Sequence, residues 1–215
     1  MPVPTLTMKL VSYHDGGKVR LGALLAGRKR IADLSRARRE YLHSKAAAAR
    51  SRTSAKTLPA EMIAFLQGGD AAMDAARETL RWVERELRAG RSRSLADKRA
   101  VVAAGEVRLA APVPRPPKLI AVWVNYHEHG KEASVNAPQK APLFFTKFPT
   151  AVIGPGDAIV LPRISHKVDY EAELAFVIGK RGKDIARAKA YDHIDRKSTR
   201  LNSSHIQKSR MPSSA

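Results

Sequence analysis

The sequence predicts an α+β protein in two parts, a small N-terminal domain followed by the opening of a β-rich second domain. Three observations predict it. An alternating apolar pattern from Met8 to Leu25 is interrupted only by His14-Asp15-Gly16-Gly17, which reads as a hairpin. Met73, Ala76, Leu80, Val83 and Leu87 then fall on one face of a helix. Finally, Ala111-Pro112-Val113-Pro114-Arg115-Pro116-Pro117 crowds four prolines into a stretch that no regular helix or ladder admits, and the apolar runs beyond it are short and strand-like.

Taken in order, Met8 to Tyr13 is the first strand and Lys18 to Leu25 its return. Gly27 to Leu34 adds a third short strand. Ser35 to Lys56 reads as helix on the strength of Ala46 to Ala49, with a tendency to fray. Pro59 suits the first turn of a short helix that Gly68-Gly69 ends. Asp70 is the expected N-cap of the long amphipathic helix, and Ala89-Gly90-Arg91-Ser92-Arg93-Ser94 breaks it. These helices are expected to pack over a small sheet and carry no chemistry. Past the prolines, Lys118 to Val124, Pro142 to Thr146 and Ala158 to Leu161 are strand candidates, with a turn at Ile153-Gly154-Pro155-Gly156-Asp157.

Composition narrows the function classes. At 215 residues and 44% hydrophobic the chain is large enough for a packed core, and no run approaches the ~20 apolar residues of a membrane helix. Met1 to Thr7 lacks the basic start and apolar run of a signal peptide, and Met8 is an alternative start. Zero cysteines exclude disulfides and thiolate chemistry and fit a cytoplasmic protein. The net charge of +19 invites a nucleic-acid hypothesis, with the Arg28–Lys56 segment as a phosphate-contacting arm. A charge run of this kind is usually a solvated helix face or loop, and no recognition-helix, zinc or aromatic RNA-binding signature accompanies it. Of the +19, the segment 195–215 supplies +4, from five basic residues against one acidic.

Chemistry concentrates in two places. In Val168-Asp169-Tyr170-Glu171-Ala172-Glu173-Leu174 and the apolar residues after it, a strand would place Glu171 and Glu173 on one face, roughly 6.5 Å apart. The apolar continuation implies that this strand runs into a core. Like charges at a core edge repel and lose hydration, and a divalent cation such as Mg²⁺, Mn²⁺ or Ca²⁺ between them offsets both costs. The alternative is two solvated glutamates on an exposed face. In Asn125-Tyr126-His127-Glu128-His129-Gly130-Lys131-Glu132, a helical turn would bring His129 and Glu132 to one face, where the carboxylate can orient the imidazole and raise its basicity. His127 with Glu128 is an equally available pair.

The chain resembles the fumarylacetoacetate hydrolase family in four segments and in order. These are Pro114-Arg115-Pro116-Pro117-Lys118-Leu119-Ile120-Ala121; Asn125-Tyr126 with His129 and Glu132; Phe145-Thr146-Lys147-Phe148-Pro149 with Ile153-Gly154-Pro155-Gly156-Asp157; and Asp169-Tyr170-Glu171-Ala172-Glu173-Leu174. The ordered set covers residues 112–194 and, more loosely, the region from Met8. The resemblance implies a mixed β-roll catalytic core, incomplete here, and a homodimeric parent. It implies hydrolysis of carbon–carbon bonds, decarboxylation, isomerisation or dehydration of 2-oxo acids and 1,3-dicarbonyl compounds. His129 and Glu132 would form a general-base dyad, Glu171 and Glu173 would ligate Mg²⁺ or Mn²⁺, and Lys147 would face the small-molecule oxo-acid substrate. The other reading of Lys147 is a solvated strand-end lysine.

Two departures accompany the resemblance. Trp123 stands where the family usually has a small residue, often glycine; its indole either crowds the turn before Asn125 or marks a subgroup. The family's third metal carboxylate, and the lysine after it, have no counterpart. The match stops near Ile194, and Asp195 to Ala215 resembles a translated sequencing adapter; the alternative is a genuine Ser-rich basic tail. The expected organisation is therefore 1–111 as N-terminal domain, 112–194 as the start of the catalytic core and 195–215 as an artefactual tail, with the chain an inactive fragment prone to pair through exposed strand edges.

Overall fold

A computed structural model describes residues 8–49, 57–124, 127–132, 141–164, 168–194 and 201–207. Its first half is a four-stranded antiparallel sheet in the order β1 (Lys9–Asp15), β2 (Lys18–Leu24), β3 (Arg30–Asp33), β4 (Val101–Ala103). The β1–β2 turn falls on Gly16 and Gly17, whose φ of 57° and 75° give the doubly left-handed geometry of a tight hairpin. Between β3 and β4 run α1 (Leu34–Ala49), α2 (Met62–Gln67), α3 (Gly69–Arg88) and α4 (Ser92–Asp97).

Alternation along the strands sends two sets of side chains to opposite faces. Leu21, Ala23 and Ala32 face the helices, where they meet Leu34, Phe65, Met73, Ala76, Leu80 and Val83 in the main core. Tyr13, Ile31 and Val102 face the other way and are covered by Ala104, Val107 and Leu109. The predicted stripe of α3 is thus its core face, with Leu87 at the half-buried end.

Asp33 joins these parts. It is fully buried and accepts hydrogen bonds from the Tyr13 hydroxyl at 2.7 Å, from Arg20 Nε at 2.6 Å and Nη2 at 3.1 Å, and from the Ser35 hydroxyl at 3.1 Å. It also accepts the Arg36 backbone N–H at 2.8 Å, which makes it the N-cap of α1. Burial alone would raise its pKa. The Arg20 guanidinium, the Arg36 amide and the Tyr13 hydroxyl outweigh burial and hold the carboxyl below the usual range. Burial in turn pushes the Tyr13 phenol up, and the Asp33 charge adds to that.

Several sequence expectations are corrected here. Asp70 does not cap α3. Gly68 occupies that position, and Asp70 lies in the first turn, where its charge favours the helix dipole. Pro59 precedes its helix, because Leu21 N donates to Ala60 O at 2.6 Å and holds that segment against β2; the helix begins only after Glu61. Sequence periodicity misses α4 and the three-residue β4. Ala158 to Leu161 forms no strand; among the described residues it has no ladder partner, and Ile159, Val160 and Leu161 are exposed. The basic run is largely solvated, with Arg28, Lys29, Arg30, Arg39 and Lys45 exposed; the exceptions are Arg38, which is buried and donates to Glu78 Oε2 at 2.6 Å, and the half-buried Arg36, which pairs with Asp15 at 2.5 Å, while Arg50, Arg52 and Lys56 lie outside the described residues.

The second half consists of two-stranded ladders. β5 (Leu119–Trp123) pairs with β6 (Leu143–Lys147), and β7 (Asp169–Ala175) pairs with β8 (Leu201–Gln207), both antiparallel. α5 (His127–Glu132) lies between β5 and β6 in the chain. All sixteen exposed large apolar side chains among the described residues lie between Ile120 and Tyr191, and all but two of the buried ones lie at or before Ala111.

Replacing Asp33 by Ala is expected to cost about 2–4 kcal/mol, because it leaves the half-buried Arg20 guanidinium and the buried Tyr13 hydroxyl without their acceptor. Urea unfolding followed by circular dichroism measures this; a change under about 1 kcal/mol would remove Asp33 as the hub. The native carboxyl titrates below its unfolded value of ~3.9, so its contribution is fully present above about pH 5 and fades as pH falls through the depressed native value. Asp33→Asn is expected to flatten that acid limb.

Candidate active site

The site is built on β5, α5, β6 and β7. β5 and β6 are apolar on both faces: the register pairs Val122 with Phe144 on one and Ala121 with Phe145 on the other. Strands of this kind are built to be covered on both sides. At the end of β5, Val124 is buried with φ of 43°. A β-branched residue in the left-handed region costs on the order of 1–3 kcal/mol, and such strain collects at functional turns. The strain therefore sits one residue past Trp123. The indole itself is 41% exposed.

Asn125 and Tyr126 lie outside the described residues. The chain does turn helical at His127, as the dyad spacing requires, so His129 and Glu132 fall three apart on one face of α5. Only their backbone is described. His127 and Glu128, the other available pair, are exposed. Lys147 closes β6 half-buried, with its ammonium 5.3 Å from the centre of the Phe145 ring. This is neither a freely solvated lysine nor a buried one; the ring face and the charge attract.

β7 carries both glutamates at alternating positions, hence on one face. That face is the more sheltered one: Glu173, Ala175 and Val177 are half-buried, while Leu174, Phe176 and Ile178 are about 60% exposed. The strand does not run into a core, as its apolar continuation suggested, because only one side of it is covered. The side chain of Glu171 lies outside the described ones. β8 lines one edge of β7, and the register sets His205 opposite Glu171 and Ser203 opposite Glu173. In donor chemistry the two carboxylates suit a hard divalent ion. Among the described residues no three His, Asp or Glu side chains converge on one point.

One feature escaped sequence reasoning. The turn at Ile153 to Asp157 is pinned to the N-terminal half: Gly154 lies on the backbone of residues 109–111, and Arg108 Nη1 pairs with Asp157 Oδ1 at 2.5 Å. The sequence signal was the Gly-Pro-Gly-Asp turn itself, but its partner lies about 45 residues earlier and no periodicity links the two.

Comparison with known proteins bears on residues 118–201, which match the family described as fumarylacetoacetate (FAA) hydrolase C-terminal. The match passes Ile194, where the motif resemblance stops. The chain is 41% identical to the mitochondrial oxaloacetate tautomerase FAHD2A of Bos taurus over 138 residues, 64% of this chain and 39% of that one. It is 32% identical to the mitochondrial oxaloacetate tautomerase fahd2 of Xenopus laevis over 193 residues, 89% of this chain and 50% of that one. The crystal structure of a putative HpcE protein from Mycobacterium smegmatis superposes with a TM-score of 0.53 at 23% identity, over 86% of this chain and 51% of that one, a likeness of fold. The chain spans about half the length, or less, of these relatives.

The exposed apolar side chains between Ile120 and Tyr191 amount together to on the order of 10³ Å². Phe144→Asp with Phe148→Ser is therefore expected to raise solubility and roughly halve the fluorescence of a bound naphthalene-sulfonate dye. Being exposed positions, they should change the unfolding free energy of the N-terminal half by no more than ~0.5 kcal/mol. Unchanged dye binding would show that these faces are not the open ones.

Proposed function

The chain belongs, through residues 118–201, to the fumarylacetoacetate hydrolase family, and from that premise we propose that it carries the metal-and-base part of an enzyme acting on 2-oxo acids or 1,3-dicarbonyl compounds. The observation that carries this reading is β7, with two glutamates at alternating positions and hence on one face, inside the same matched stretch as α5.

In this reading Glu171 and Glu173 hold Mg²⁺ or Mn²⁺. The ion, when bound, stabilises negative charge developing on the enolisable oxygens of the substrate. His129 takes the proton, either from the carbon next to the substrate carbonyl or from a water that attacks it. Glu132, one helical turn on, orients the imidazole and raises its basicity. Lys147, steadied over Phe145, offers positive charge to the substrate's carboxylate. Carbon–carbon hydrolysis, decarboxylation and isomerisation share the enolate step, so one constellation serves all three. With two carboxylates rather than the three that the resemblance implies, the chain on its own turns over little substrate.

Oxaloacetate, which stands in the names of the relatives, is the substrate to test first. The chain is expected to bind Mn²⁺, seen by paramagnetic resonance titration, and Glu171→Ala and Glu173→Ala should each weaken binding about tenfold or more. Tautomerisation and decarboxylation of oxaloacetate should stay near background. Strong metal-dependent turnover that Glu171→Ala abolishes would overturn the inactivity, while Mn²⁺ affinity indifferent to both glutamates would overturn the ligand assignment.

A further inference from the structure

The N-terminal sheet does not end at β1. Residues 108–110 lie along its free edge: His14 N donates to Arg108 O and Ala110 N to Ser12 O, each at 2.8 Å, with Tyr13 opposite Leu109 in an antiparallel bridge. The Ser12 hydroxyl adds a bond to Pro112 O at 2.9 Å. This extra edge strand is therefore held from one side along its length.

The turn between β6 and β7 rests on its backbone. A Cβ at Gly154 would lie 3.1 Å from Ala110 Cα, Ala111 N and Leu109 O. All three are main-chain atoms of a segment already bonded to β1, so they have little room to give. Asp157 completes the seat. Its Oδ2 accepts the Gly154 N–H at 2.8 Å, and its Oδ1 takes Arg108 at 2.5 Å. One carboxylate thus closes the turn and ties it to the edge strand. Before the turn in sequence comes Lys147 on β6; after it comes β7 with Glu171 and Glu173.

We propose that Gly154 and Asp157 are positioning residues, which seat the β6–β7 connection on the edge of the N-terminal sheet and so set the placement of Lys147 relative to the β7 carboxylates. The N-terminal half is then a working part of the site. The inference rests on the metal reading of Glu171 and Glu173 for its consequence, and on geometry alone for the seat itself.

The test uses the full chain with Mn²⁺ as the probe. Gly154→Ala should speed amide hydrogen exchange across residues 143–157 about tenfold while leaving β1 and β2 unchanged. It should also weaken Mn²⁺ binding about fivefold. Arg108→Ala should do the same more mildly, and Arg108→Lys, which keeps the charge, should restore Mn²⁺ affinity to near wild type. If Gly154→Ala leaves exchange unaltered, the seat does not exist. If exchange rises in both Gly154→Ala and Arg108→Ala but Mn²⁺ affinity holds, the seat is structural only and the positioning role is lost. If the wild-type chain shows no Mn²⁺ binding that depends on Glu171, the metal reading fails, and the positioning role falls with it while the exchange data still decide the seat.

Discussion

The Asp33 carboxylate is the constraint on which the N-terminal half depends. It is the terminal residue of β3, the N-cap of α1, the acceptor for Tyr13 from β1 and the counter-ion of Arg20 from β2. Three strands and a helix therefore meet at one buried negative charge. A charge taken from water is costly unless every lone pair finds a donor. Here the donors come from β1, β2 and α1 while β3 carries the carboxylate, so the charge is satisfied only when all four elements are in place. Hydrophobic packing is permissive about register, and this carboxylate is not. Tyr13 also places its ring among Ile31, Val102 and Leu109, so the same residue that satisfies Asp33 anchors the second face of the sheet.

Much of this half was legible in sequence because its signals are local. A Gly-Gly pair between two alternating runs specifies a hairpin, and a period near 3.6 in Met73, Ala76, Leu80 and Val83 specifies a helix face. What was not legible is tertiary. Asp33 sits in a run that reads as strand, and its cap role depends on α1 starting at the next residue. Asp70 has the right chemistry for a cap but is preceded by Gly68 and Gly69, and the chain turns helical before reaching it. β4 is three residues long and owes its existence to pairing with β3.

For the candidate site the sequence carried spacing and order. Alternation in β7 and the three-residue interval in α5 needed only the strand and the helix to form, and both do. Coverage was the part that sequence could not supply. Leu174, Phe176 and Ile178 have the composition of core residues yet face outward, because burial depends on what packs against a strand rather than on the strand itself. Beside Trp123, the left-handed conformation falls on Val124, a β-branched residue that no turn propensity would select for it.

The uneven distribution of buried side chains has a consequence for how the chain is made. The core of the first half closes with residues up to Ala111, and a ribosome adding ~5–20 residues per second releases that stretch some seconds before Gly154 emerges. By then the edge strand at 108–110 has a sheet to lie on. The turn at 153–157 thus meets a finished surface rather than a fluctuating one. Synthesis from N- to C-terminus makes the first half a template, and the later strands are laid against it in the order in which they are born.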